Sequence, residues 1–170
     1  VHGCHRIAFI RGPEGNQEAE QRYQVYQEVL NEAGLPIDPD LVLPGDFERP
    51  SGMKAISTLI DQDHQTIDAI VAANDYMALG ALEILQERDL RVPQDIALVG
   101  FDDIEESWTF TPALTTVRQP IYKVGQEATE LLLAQIAGED IPERTVLPTE
   151  FIRRETCGRP SQPLSTPRNH

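Results

Sequence analysis

Apolar positions fall into short runs and helically spaced stretches, and the two patterns alternate along the chain. Residues 6–10 (RIAFI) read as a buried strand, and 12–16 (GPEGN) as a loop. A helix is expected over 18–33, stopped by Gly34 and Pro36. A short strand at 41–43, a loop at 44–50 and a helix at 51–63 follow. The apolar run 69–73 ends at Asn74-Asp75, with Asp75 placed to cap the next helix. In that helix Met77, Ala78, Ala81, Leu82 and Leu85 recur at helical spacing. Pro93 opens the next unit, and 96–101 is a buried strand that ends in Asp102-Asp103. Beyond it the pattern loosens: an aromatic-bearing loop at 105–112, a β-prone stretch at 115–118, an amphipathic helix at 122–137 and a last strand at 146–152. Strand–helix alternation of this kind predicts a three-layer α/β/α unit, a mostly parallel sheet with helices on both faces. Parallel strands end on a common edge, so Asn74 and Asp102 share the carboxyl side, where open α/β sheets bind ligands.

Composition narrows the partners. A chain of 170 residues is one domain, or a lobe of a larger one, and 40% hydrophobic content supports a real core. A net charge of −14 argues against direct contact with nucleic-acid phosphates or anionic membranes. No apolar run reaches membrane-spanning length and no signal peptide opens the chain, whose first residue, Val1, suggests an excised fragment. Cys4 and Cys157 make no disulfide framework, and a reducing cytoplasm is the simpler setting. Residues 158–170, rich in Pro and Ser, read as a linker or tail.

The sequence argues against catalysis. Asp102 and Asp103 are adjacent, so at a strand end their side chains diverge, a poor geometry for acid and base across one bond. There is no G-x-S-x-G elbow, G-x-G-x-x-G turn or Walker A loop. The histidines, His2, His5, His64 and His170, are scattered; His2, Cys4 and His5 fall short of a full ligand set and read better as a fraying strand. A phosphoacceptor receiver would need acidic residues after the first strand, where Arg11-Gly12 stand. Nothing requires a metal or cofactor. Binding fits better. Arg22 near the start of the first helix, Phe47 after the second strand, Asn74 and Asp102 would offer a fork, an aromatic face, an amide and a carboxylate to a polyhydroxylated ring. Taken singly, each has a plainer role: solvated arginine, core plug, turn residue, cap. Their convergence at strand ends favours a site.

The run IVAANDYMALGALEILQERDLRVPQDIALVGFDD, followed by PALTTVRQP and GQEATELLL, resembles the sensor domain of LacI/GalR transcriptional regulators. GCHRIAFIRGP resembles the start of that family's second lobe, and AEQRYQVYQEVLNEAGL its first helix. The resemblance implies a type I periplasmic-binding-protein-like fold, of which residues 1–157 form the C-terminal lobe, one lobe of two, with 115–138 crossing to the other. It implies that Arg22, Asn74 and Asp102 contact a small polar effector, a sugar or nucleoside in kind, with Phe47 against the sugar and Gln119 near the crossover. Lobe closure would then control DNA binding by a separate domain. Family members dimerise on the side that carries Trp108 and Phe110, which makes both residues interface candidates. Val25 stands where the family usually has Gly, and neither the first lobe nor a helix-turn-helix lies within these residues. IRGPEGN and FIRRETCG also resemble sensors fused to diguanylate cyclases or histidine kinases. A transporter's solute-binding protein and a small hydrolase are rival functions for a lobe of this kind. With the other lobe absent, the helix at 122–137 should leave Val124, Ala128, Leu131 and Leu132 without their sheet, either standing off against another chain or folded back onto its own lobe.

Overall fold

A computed structural model describes residues 3–61 and 67–158. Its centre is a parallel sheet in the order β2-β1-β3-β4, built from β1 (Ile7–Ile10), β2 (Val42–Leu43), β3 (Ala69–Ala72) and β4 (Ala97–Val99). β1 pairs along its whole length with β3, Ile7 opposite Ala69 and Ile10 opposite Ala72. Ala8, Phe9 and Ile10 are buried in succession because both sheet faces are covered there. The sheet continues past β4. Gly100 N donates to Thr115 O (2.9 Å) and Asp102 N to Val117 O (2.9 Å), bringing β5 (Thr116–Arg118) alongside. β5 then pairs antiparallel with β6 (Glu150–Ile152).

The crossovers set the layers. From β1 to β2 the chain steps one way across the sheet, and from β2 through β3 to β4 it steps back. Right-handed crossovers therefore put α1 (Gln17–Glu32) on one face and α2 (Arg49–Asp61) with α3 (Asp75–Glu87) on the other. Asn16 caps α1 by accepting from Ala19 N (3.0 Å), and Glu18 and Glu20 suit the positive end of its dipole. α1 buries only Ala19, Tyr26 and Leu30; Val25, the departure from the family's Gly, points outward. α3 is buried on nearly all sides, packed on β3 and β4 and against α2. Two glycines allow that approach: a Cβ on Gly52 would strike the backbone of Met77, and one on Gly80 the backbone of Arg49.

The predicted alternation is present, with shifted ends. The second helix starts at Arg49, because Pro50 in a first turn forfeits no hydrogen bond; its expected end at residue 63 lies outside the described residues. Leu41 closes a 3-10 turn instead of opening β2. The last strand is Glu150–Ile152 and not 146–152, since β5 offers only three residues to pair with and Val146 is left exposed. The loop at 105–112 contains one helical turn, α4 (Glu106–Thr109). α5 (Ile121–Ile136) leaves the sheet and buries none of its residues. Val124, Ala128 and Leu131 line a groove with Pro142 and Leu147, but only Leu131 of the three is partly covered, and Leu132, Leu133 and Ile136 are exposed as well. The helix thus stands off the main sheet, with Val124, Ala128 and Leu132 of the expected stripe exposed.

Candidate effector site at the carboxyl edge

The parallel register brings the loops after β1, β2, β3 and β4 to one edge, and the sequence-predicted residues gather there. The Arg22 guanidinium lies 4.1 Å from the Phe101 ring centroid and 5.8 Å from that of Phe47. Its Nη1 donates to Ala73 O (2.9 Å) and its Nη2 to Glu18 (3.0 Å), so one face stacks while part of the fork is already bound. Gln119 Nε2 donates to Asp102 Oδ1 (2.7 Å), which joins the end of β4 to the crossover. Phe47 is half-buried with φ of 72°, its ring over Gly12, where any side chain would collide with it.

The cap of α3 falls on Asn74 and not, as expected, on Asp75. Asn74 is the cap of α3: its Oδ1 accepts from Met77 N (3.0 Å), and its Nδ2 donates to Phe47 O (2.8 Å). It therefore holds the Phe47 loop, and only 5% of its surface is exposed. Asp75 is the first helical residue and is wholly buried. Either residue type accepts well at a cap, and the strand's exit geometry decides between neighbours.

Asp102 and Asp103 differ in environment. Both have positive φ, 122° and 62°, a conformation that costs a side-chain-bearing residue about 1–3 kcal/mol. Burial pushes the Asp102 carboxyl above its ordinary range; the Gln119 hydrogen bond and the Arg22 charge oppose this, and Asp75 and Glu18 add to it. Burial also pushes Asp103 upward, but Arg154 (2.5 Å) and Arg118 (2.6 Å) outweigh it and hold that carboxyl below the usual range.

Two residues at this edge carried little signal in the sequence. Phe101, under Arg22, stood out only as an aromatic ending an apolar run. Arg154, bonded to Asp103 across 51 residues of chain, carried no local signal. Of the interface candidates, Trp108 is 58% exposed, whereas Phe110 packs on its own lobe beneath Arg49 (4.8 Å), which pairs with Glu83. Phe110 is thus not the bare aromatic expected of a loop. Beside Arg22 and Phe101 a groove of about 420 Å³ runs along the sheet face past Val25, Val71 and Val117. Its walls are mostly apolar; of the candidate set they include Arg22 but not Phe47, Asn74, Asp102 or Gln119.

Among the described residues no three His, Cys, Asp or Glu side chains are arranged to hold a metal ion. His2, His64 and His170 lie outside them, and the Cys4 thiol and His5 amide are directed to Asp68. No helix among the described residues is long and apolar enough to cross a membrane.

Residues 1–157 match the periplasmic binding protein-like domain family. Over 155 residues the chain is 41% identical to the HTH-type transcriptional regulator CelR of Thermobifida fusca, covering 91% of this chain and 45% of that protein. A solved complex of the transcriptional regulator CelR with cellobiose superposes with a TM-score of 0.85 at 40% identity, over 91% of this chain and 47% of that one. A dimeric Lac repressor with a C-terminal deletion superposes with a TM-score of 0.85 at 29% identity, over 91% of this chain and 56% of that one. The chain spans about half the length of the relatives it matches.

Proposed function

Because this chain belongs to the periplasmic-binding-protein-like domain family, as the sensor lobe of a LacI/GalR-type regulator, we propose that it is half of a cleft that binds a small polyhydroxylated effector. Arg22 and Asp102 supply a cation and a carboxylate for hydroxyls, and Phe47 and Phe101 supply apolar faces for the ring. Asn74 serves with the amide hydrogen its structural bonds leave over, and Gln119 links the contact to the crossover. The carrying observation is that Arg22, Phe47, Asn74, Asp102 and Gln119, drawn from five segments, converge on one edge of the sheet. The relative solved with cellobiose supports a sugar as the effector.

In the full-length protein, effector binding closes the two lobes and sets the DNA affinity of a separate domain. The fragment makes no nucleic-acid contact of its own, consistent with its charge of −14. The protein acts in the cytoplasm and is not an enzyme. It works as a homodimer, for which the dimeric Lac repressor is the precedent, with Trp108 on the contact face.

Calorimetric titration of the full-length protein with cellobiose, pentoses, hexoses and nucleosides tests the reading. One of them should bind, and Asp102→Ala should weaken it by roughly tenfold or more while the fold is kept. Undiminished affinity in Asp102→Ala would remove this carboxylate from the contact set.

A further inference from the structure

Asp75 is a wholly buried carboxylate that the proposed contact set does not use. Four donors surround it: Oδ2 accepts from Asp103 N (2.8 Å), Ile104 N (3.2 Å) and Ser107 Oγ (2.6 Å), and Oδ1 from Thr116 Oγ1 (2.6 Å). A buried carboxylate is costly unless its lone pairs are filled, and here they are filled by groups from three other segments. Successive amides of residues 103 and 104 form a small anion nest around it. Gly100 makes room, since a Cβ there would run into Asp75 Oδ1.

What these donors belong to gives the arrangement its meaning. The amide of Asp103 follows Asp102 directly, so its bond fixes the left-handed turn that aims the Asp102 side chain. Thr116 lies on β5, three residues before Gln119, so its bond fixes the strand that delivers Gln119. Both partners of the Asp102–Gln119 hydrogen bond therefore depend on one carboxylate. We propose that Asp75 is the positioning residue of the effector edge: it locks Asp102 against Gln119, and effector affinity depends on a group that no ligand touches. The inference rests on Asp102 being an effector contact.

Asp75→Asn in the full-length protein is the test, because an amide keeps the size but has one acceptor oxygen and gains donors. Cellobiose, D-ribose, D-glucose and adenosine are the probes, read by calorimetry, with a crystal structure of the variant. The expected results are cooperative unfolding, an Asp102–Gln119 separation beyond about 3.5 Å, and affinity lowered at least about tenfold. The double variant with Asp102→Ala should bind no more weakly than Asp102→Ala alone. Leu85→Ala, a buried α3 control, should lose stability but not affinity. An intact Asp102–Gln119 bond in Asp75→Asn overturns the proposal, as do additive losses in the double variant or an equal affinity loss in the control. Should none of the probes bind, the proposed effector class fails; should Asp102→Ala bind normally, Asp102 leaves the contact set; in either case the crystal geometry still decides whether Asp75 holds the Asp102–Gln119 pair. If Asp75→Asn does not fold, Thr116→Val and Ser107→Ala each remove one donor; an unmoved Asp102–Gln119 pair in both overturns it.

Discussion

Replacing Arg154 with Met removes the cation that ties the segment after β6 to the β4 edge. Arg154 Nη2 donates to Asp103 Oδ1 (2.5 Å) and Nη1 to Leu114 O (2.8 Å), and only 14% of the Arg154 side chain and 5% of that of Asp103 are exposed. The lost charge-assisted bond is worth about 1.5–3 kcal/mol, and the carbonyl of fully buried Leu114 loses a donor at about 1–3 kcal/mol. Arg118 still holds Asp103 on its other oxygen, and the Met side chain keeps much of the apolar packing, so a net loss of about 2–3 kcal/mol is expected. Urea unfolding should show a midpoint lowered by about 1–2 M with the slope unchanged. Acid supplies an independent check. The folded Asp103 carboxyl sits below its unfolded value, so its stabilisation is present above the unfolded pKa and is lost as pH falls through the folded one. Arg154→Met moves the folded value back toward the unfolded, and the variant should therefore lose less stability on acidification than the parent. A midpoint shift under about 0.3 M, or acid limbs that run parallel, would refute the argument.

Two further predictions use the same structure. Gly80→Ala should destabilise by about 1–3 kcal/mol, since its Cβ meets the Arg49 backbone; Gly125→Ala, with open space around it on α5, should be neutral or gain up to about 1 kcal/mol of helix propensity, both read by thermal unfolding. Trp108→Ala should weaken self-association in sedimentation without loss of stability, whereas Phe110→Ala should lose stability instead; an association constant unchanged by Trp108→Ala removes that residue from the interface.

The sequence conveyed what local pattern can convey. Apolar runs and helical spacing located the sheet and its helices, and parallel order alone placed Asn74 and Asp102 on one edge. It erred where distant partners decide. Asn74 and Asp75 are interchangeable as caps by residue type, and Asp75 becomes a hub only because donors 28 to 41 residues away fold onto it. The strand at 96–101 shortens to Ala97–Val99 because the ladder to β3 ends before the left-handed turn at Asp102-Asp103. Phe110 looked like a loop aromatic because nothing near it in sequence announces Arg49.

Asp102 and Asp103 leave one strand end for two different environments. Alternation separates adjacent side chains, and two positive φ angles complete the divergence. Asp103 turns to Arg154 and Arg118, and its charge stabilises the lobe. Asp102 turns to the edge, where burial raises its carboxyl and Gln119 only partly compensates. The sign is opposite: a carboxyl raised in the folded state subtracts stability above that raised value, and the deficit vanishes below the unfolded pKa. An ionised Asp102 is thus a charge that the lobe's own fold would do better without. A carboxylate that costs stability at the edge where Arg22, Phe47 and Gln119 meet fits the effector contact proposed for it.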